Sequence, residues 1–299
     1  MKINIKKNIK TGNFFIKSIL AIPILFGHSN VNILNLQNRV VTKKYLKKYF
    51  KKIDMKNYES APVGHDENKI WICWFQGFDN APNIVKKCVK SILENKPESY
   101  DVIFIAKNNL DNYHIPKEII QKWESGSISS AQFSDYLRTF LLVNYGGLWL
   151  DATVYLSSQL PKYIFQSGLF LVHHSNYTDD ITIKYNSWLI YSKPNNPVLK
   201  ATLDVLTDYY LHEKKIREYF LWHIIVTEII NMFNKDIEHF ISDYDCDILC
   251  GLLNKRFNEQ LFDEIKSITS IHKLSYKNIE SNNEDSFYHY LFCEDNINE

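Results

Sequence analysis

An α/β protein is what this sequence predicts, with a mostly parallel sheet flanked by helices and a basic helical extension in front. Three observations predict it. From Lys69 onward, short β-type runs alternate with helical stretches, the order expected when crossover helices connect parallel strands. At the centre of the chain, Ser130 to Leu156 reads as helix, Gly-Gly break and apolar strand. Finally, charge is segregated: Met1 to Ile53 holds 11 Lys and one Arg and no acidic residue. The remainder keeps 23 of the 35 basic residues against all 34 acidic ones, so the net charge of +1 hides two unlike parts.

The extension, residues 1–60, opens with Lys2, Lys6, Lys7 and Lys10 and an apolar run from Phe14 to Phe26. That run is shorter than the roughly 20 apolar residues a bilayer span takes, and no small-residue cleavage site follows it, so neither a spanning helix nor a secretory signal is expected. Lys43 to Lys52 then pairs lysines with Tyr45, Leu46, Tyr49 and Phe50 at helical spacing. Two readings fit: an element on an anionic membrane surface, or a helix whose apolar face packs on the body of the protein. No nucleic-acid motif accompanies the charge, so nucleic acid is not an expected partner.

A polar stretch from Pro62 to Asn68 marks the boundary, and residues 61–299 form the expected main domain. Lys69 to Phe75 is a β-type run, closed by a turn at Gln76-Gly77, and Ile84 to Leu93 is helical. Asp101 to Ile105 is a second strand; Pro116 to Trp123 is a helix with Pro at its first position. In the central unit, Phe133, Tyr136, Leu137, Phe140 and Leu141 recur at i, i+3, i+4, and Gly146 stops the helix. Leu148-Trp149-Leu150 is a buried strand that ends in Asp151-Ala152-Thr153. Burying an unpaired carboxylate is costly, and strand ends of α/β sheets are where ligands bind, so Asp151 reads as a ligand-facing residue.

Farther on, Gly168 to Val172 is a strand running into His173-His174, and Asn186 to Tyr191 is another, stopped by Lys193-Pro194. Val198 to Tyr210 and Tyr219 to Phe233 are helical; Trp222, Ile225, Ile229 and Phe233 form a core stripe beside His223. Five scattered cysteines (Cys73, Cys88, Cys246, Cys250, Cys293) show no metal-ligand spacing. They fit a reduced, cytoplasmic protein rather than a zinc module or a disulfide scaffold.

Ser134-Asp135-Tyr136-Leu137-Arg138, then Tyr145-Gly146-Gly147, then Leu150-Asp151-Ala152-Thr153-Val154 resembles the sugar-nucleotide site of GT-A glycosyltransferases. In particular, the set is similar to the capsular polysaccharide synthesis proteins related to glycosyltransferase family 32. The resemblance runs in order from about Lys69 to Lys277, with firm motifs between Ser134 and Val154. It implies a GT-A-like (Rossmann-like) fold and a retaining hexosyltransferase. Such an enzyme uses a UDP-sugar donor, Mn²⁺ or Mg²⁺, and a lipid-linked saccharide acceptor at the inner face of the cell membrane. It also implies site residues. Trp74, Gln76 and Gly77 would lie beside base and ribose, Asp135 and Arg138 at the donor, Asn186 and His223 at the sugar, and Lys277 at the diphosphate.

Asp151 and a late histidine, His272 of the Ile271-His272-Lys273-Leu274 segment, would hold the metal, with Thr153 as a third, neutral ligand. Thr153 departs from the family's Asp-x-Asp pattern, and one carboxylate binds a cation less well than two. Asp135 and Arg138, three apart on one helix face, fit an internal ion pair as well as a donor contact. The departure at Thr153 also leaves room for a second class of function, a nucleotide-sugar-binding or scaffold subunit of a polysaccharide assembly complex.

Overall fold

A computed structural model describes residues 31–60, 63–65, 68–174, 182–233, 241–280 and 282–293. The expected apolar run at Phe14 to Phe26 lies outside the described residues. Helix α1 is Val31–Phe50 and α2 is Met55–Glu59. The first crossover is β1 (Lys69–Cys73), α3 (Asn83–Asn95) and β2 (Asp101–Ile105), followed by α4 (Lys117–Glu124) and α5 (Ser130–Tyr145). Strands β3 (Gly147–Leu150), β4 (Val154–Leu156), β5 (Leu169–His173) and β6 (Tyr185–Ser192) come next. The chain continues through α6 (Pro197–His212), α7 (Leu221–Phe233), α8 (Asp243–Leu252), α9 (Glu259–Ile268) and β7 (Ile271–Lys273).

Five strands form the central sheet in the order β2-β1-β3-β6-β5. β1 pairs in parallel with both β2 and β3, and β6 is antiparallel to β3 and to β5. Four of the five strands therefore point one way, and the mostly parallel sheet expected from the sequence is present. The exception is β6, read from the sequence only as a strand: an antiparallel neighbour leaves the same local pattern as a parallel one when both faces are covered. β4 and β7 make a separate two-stranded ribbon.

Both faces of the sheet are buried, and alternation along each strand sorts the side chains. Trp71, Trp149, Leu171 and Ile190 pack on one side with α1 and α5 to α7. Ile70, Ile72, Leu148, Leu150, Leu189 and Val172 pack on the other with α3, α8 and α9. α8 and α9 fall in stretches that the sequence pattern left largely unread. Each is started by a side-chain cap, Ser242 on the Tyr244 N–H and Asn258 on the Leu261 N–H. α1 joins the first of these cores through Leu46, Tyr49 and Phe50, so the apolar face of the basic segment is core.

The central helix is set by a capping box: the Ser129 hydroxyl accepts from the Gln132 N–H while the Gln132 side chain accepts from the Ser129 N–H. It ends where Gly146 and Gly147 both take positive φ, 68° and 97°. Trp71 Nε1 donates to the Gly146 carbonyl at 2.8 Å, which locks the reversal against β1. A Cβ on Gly147 would lie 2.4 Å from the Lys69 carbonyl oxygen, so only glycine lets β3 lie against β1 here.

Candidate donor site at the carboxyl ends of the strands

β3 leaves the sheet at Asp151. The Asp151 N–H donates to the Trp188 carbonyl (2.9 Å), and the Val154 N–H donates to the Asp151 carbonyl (2.9 Å), closing a tight turn over Ala152 and Thr153. This turn projects Asp151 at the carboxyl end of β3, the edge of the sheet where β1 also ends in its Trp74–Gly77 turn. The Asp151 carboxylate meets a cation on each oxygen. Arg138 Nη2 is 3.5 Å from Oδ1, Lys273 Nζ is 3.4 Å from Oδ2, and Trp149 Nε1 donates to Oδ1 at 3.0 Å. Burial works to raise its pKa, but Arg138 and then Lys273 prevail and hold it below the usual carboxylate range.

Arg138 is placed by α5. Its Nε donates to the Ser134 carbonyl, its Nη2 to the Ser134 hydroxyl, and its Nη1 to the Ser187 carbonyl on β6. Its guanidinium also lies 4.9 Å from the Trp149 ring centroid. Asp135, one turn back, is 3.6 Å from Arg138 Nη1. Burial pushes the Asp135 pKa up to about 6, against the pull of Arg138 and a hydrogen bond from Ser187. The buried guanidinium thus sits between two carboxylates of unlike environment, one with its pKa lowered and one with its pKa raised.

Strand alternation decides the next residues. β7 pairs with β4 so that Lys273 lies opposite Val154 and His272 opposite Tyr155. Lys273 therefore faces the turn, donating to the Thr153 hydroxyl while its ammonium approaches Asp151. His272 faces the other way, fully buried, with Nε2 2.9 Å from the Ser157 hydroxyl. Burial lowers its pKa to about 4. The structure does not bring His272 to Asp151; its neighbour in sequence stands there instead, because successive strand residues point to opposite faces.

The donor set decides how a divalent cation would fare. Mn²⁺ or Mg²⁺ takes oxygen ligands at about 2.1 Å, one or two of them protein carboxylates free to coordinate and the rest phosphate and water. Here the single carboxylate of the turn already carries two cations, the Thr153 oxygen takes the lysine ammonium, and His272 is turned away. Among the described residues no group of three or more His, Cys, Asp or Glu could hold a metal. The residues present do not fit such an ion at this turn.

Trp74 borders the same edge. Its ring meets Tyr276 edge to face at 5.3 Å, and Lys277 Nζ lies 5.8 Å from the Tyr276 ring, so Trp74 and Lys277 are joined through a tyrosine that sequence reasoning did not single out. Gln76 is exposed, and Gly77 (φ 83°) closes the turn by donating to the Trp74 carbonyl at 2.9 Å. Exposed Tyr219 stands within electrostatic reach of Asp135, Arg138 and Asp151. His223 is buried on α7 and Asn186 donates to Asp243 at 2.8 Å. Lys273 was the residue least legible from sequence, since a single late lysine carries no pattern; only its register against β4 singles it out.

No curated protein matches this sequence. Many solved structures are similar at low identity, three of them as follows. One described as PaToxG glycosyltransferase shares 15% identity with a TM-score of 0.43, covering 65% of this chain and 79% of that one. A transferase carrying two cysteine-to-serine mutations shares 13% with a TM-score of 0.34, covering 60% and 90%. The apo form of the glycosyltransferase GlyE from Streptococcus pneumoniae TIGR4 shares 13% with a TM-score of 0.39, covering 71% of this chain and 55% of that one. Residues 23–291 match the capsular polysaccharide synthesis proteins, and that span, most of the chain, makes this protein a member of that family.

Proposed function

We propose that the protein is a glycosyltransferase of polysaccharide synthesis, moving a hexose from a UDP-sugar to a lipid-linked saccharide. The observation that supports it most is the Arg138–Asp151–Lys273 cluster at the carboxyl ends of the strands, in a chain of this family. Sugar transfer breaks the bond from C1 to the diphosphate oxygen, and the electron pair leaves with the diphosphate. A second bond forms from the acceptor oxygen to C1, and the acceptor hydroxyl gives up its proton. Negative charge grows on the leaving group, and fixed cations aimed at that charge stabilise the transition state most. Arg138 is immobilised by Ser134 and Ser187, and Lys273 is poised on the Asp151–Thr153 turn; together they can meet the two phosphoryl groups. Asp151 orients both cations. In this reading a leaving-group oxygen takes the acceptor proton on the same face, which gives the retention implied by the resemblance.

Calorimetry with a panel of UDP-sugars, with Mn²⁺ and with chelator, tests this on the wild type, Asp151→Ala and Lys273→Ala. Binding of one UDP-hexose that survives chelator and is weakened by at least about tenfold in Lys273→Ala is expected, the scale of losing a charge-assisted contact. Binding that demands Mn²⁺ would refute the lysine as the cation while leaving the transferase. Absence of nucleotide-sugar binding in every condition would remove the donor site itself.

A further inference from the structure

Outside the donor site, a second buried carboxylate is aligned on a histidine. Asp243 opens α8 with its side chain only 10% exposed. Its Oδ2 lies 2.6 Å from His174 Nδ1 and accepts from Asn186 Nδ2 at 2.8 Å. The start of α8 does not require this residue, because the Ser242 hydroxyl already caps the helix by accepting from the Tyr244 N–H. Burying a carboxylate is costly, so its alignment on the imidazole calls for a reason. The backbone under the pair is fixed from two sides. The His174 N–H donates to the Lys184 carbonyl at 2.8 Å, and the His173 N–H donates to the Ile241 carbonyl at 3.2 Å.

The short contact also sets the imidazole tautomer. Two bare lone pairs repel at 2.6 Å, so the ring proton lies on Nδ1, facing the carboxylate, and Nε2 of the neutral ring keeps a free lone pair. Asn186 Nδ2 stands farther from Nδ1, at 3.4 Å. The His174 side chain is 27% exposed, and no hydrogen bond to Nε2 is made among the described residues. A histidine oriented by a carboxylate, with its second nitrogen open, is equipped to take a proton.

The pair lies next to the donor cluster. β5 and β3 run in the same direction because each is antiparallel to β6, so His174 emerges at the same edge of the sheet as Asp151. Three consecutive residues of β6 connect the two groups. The Asn186 side chain holds Asp243, the Ser187 carbonyl accepts from Arg138 Nη1, and the Trp188 carbonyl accepts from the Asp151 N–H at 2.9 Å. Their anchors on β6 are thus separated by two residues, about 7 Å of strand.

We propose that His174, backed by Asp243, is the general base of the transfer reaction. The bond from C1 to the diphosphate oxygen breaks and its electron pair leaves with the diphosphate. The acceptor oxygen bonds to C1, and its proton goes to the Nε2 lone pair of His174. Asp243 stabilises the imidazolium that forms, which then gives the proton to solvent through its exposed edge. This assignment rests on the glycosyltransferase reading above and refines one step of it: the acceptor proton passes to Nε2 instead of staying on the leaving-group oxygen.

The test measures UDP release from UDP-glucose and UDP-galactose, with water standing in as acceptor, alongside calorimetry of the same nucleotide sugars. Wild type, His174→Ala, His174→Gln and Asp243→Asn are compared, and melting curves confirm that each variant folds. Asp243→Asn keeps the side chain's size but can donate to Nδ1, which moves the ring proton to Nε2. The expected result is a fall in turnover of about 100-fold or more in every variant, with affinity for the UDP-hexose unchanged. Added imidazole should restore turnover in His174→Ala and leave His174→Gln, where the space is filled, as slow as before. Should His174→Ala fail to fold, His174→Gln and Asp243→Asn decide by the same split between turnover and affinity. Unchanged turnover in the folded variants overturns the base and keeps the transferase. Slow turnover that imidazole does not restore in folded His174→Ala, or that follows a loss of affinity, shows a structural pair and also overturns it. A wild type that binds a UDP-hexose but never releases UDP overturns the base and leaves a binding protein. A wild type that binds no nucleotide sugar sinks the transferase reading and the base with it.

Discussion

Asp151 and His272 show how a single residue's surroundings set its chemistry. Asp151 stays ionised at the mouth of the site because Arg138 and Lys273 outweigh its burial. His272 stays neutral because nothing outweighs its burial, and its pKa falls to about 4 from 6.5. For a histidine depressed in this way the unfolded chain binds more protons than the folded one between those values. Stability therefore rises with pH across the window and is lost on acidification from about pH 6.5 towards 4. The loss is on the order of 3 kcal/mol for a fully buried imidazole. His272→Gln cannot titrate, so its melting temperature should fall less than the wild type's over that range; parallel curves would refute the assignment. Asp135 works in the opposite sense, its raised pKa of about 6 costing stability as pH climbs from 3.8. The comparison of variant with wild type cancels that contribution.

Among the elements, the α5–Gly-Gly–β3 unit does the placing. The capping box at Ser129 sets where α5 begins, Gly146 and Gly147 set where it ends, and the distance between them puts Arg138 and Asp151 on one edge. Gly147→Ala would need φ near 97° and would drive a methyl group to 2.4 Å from a carbonyl oxygen of β1. We expect a loss of at least about 2 kcal/mol in denaturant unfolding, with activity falling further because β3 carries Asp151. A Gly147→Ala protein of wild-type stability would show that β3 can shift without cost. The ribbon β4–β7 has a comparable role at lower cost in residues: three pairs fix which of two neighbours, His272 or Lys273, faces the turn.

For the whole molecule, α1 has two faces with different uses. Lys43, Lys48 and Lys52 pair with Glu228, Glu213 and Asp208 on the body at 2.6 to 2.8 Å. Lys44, Lys47 and Lys51 are exposed and spaced i, i+3, i+7, so they share the outer side. Among the described residues no helix is long and apolar enough to cross a membrane. An acceptor on a lipid carrier would bring the protein to an anionic surface, and the outward lysines could hold it there at about 1 kcal/mol each. Replacing all three by Glu should lower binding to phosphatidylglycerol vesicles by roughly a hundredfold at low salt, with melting unchanged. Vesicle binding that ignores both the triple change and added salt would refute a surface role for this face.

The sequence by itself determined most of the order of strands and helices from β1 to α7, the break at Gly146-Gly147, and Asp151 as the carboxylate at a strand end. These are local matters: hydrophobic period, glycine conformation and the cost of burying charge all act within a few residues. Its pattern also brought Ser134 to Val154 to notice as one unit, since Arg138 and Asp151 are separated by a single turn of chain. Only the tertiary structure decided that β6 runs against its neighbours, that Lys273 rather than His272 meets Asp151, and that Asp243 stands behind His174. β6 meets β3 across about 40 residues of chain, His174 meets Asp243 across 69, and Asp151 meets Lys273 across more than 100. Which face of a strand meets a distant partner depends on register, and a one-residue change in register exchanges every side chain from one face to the other.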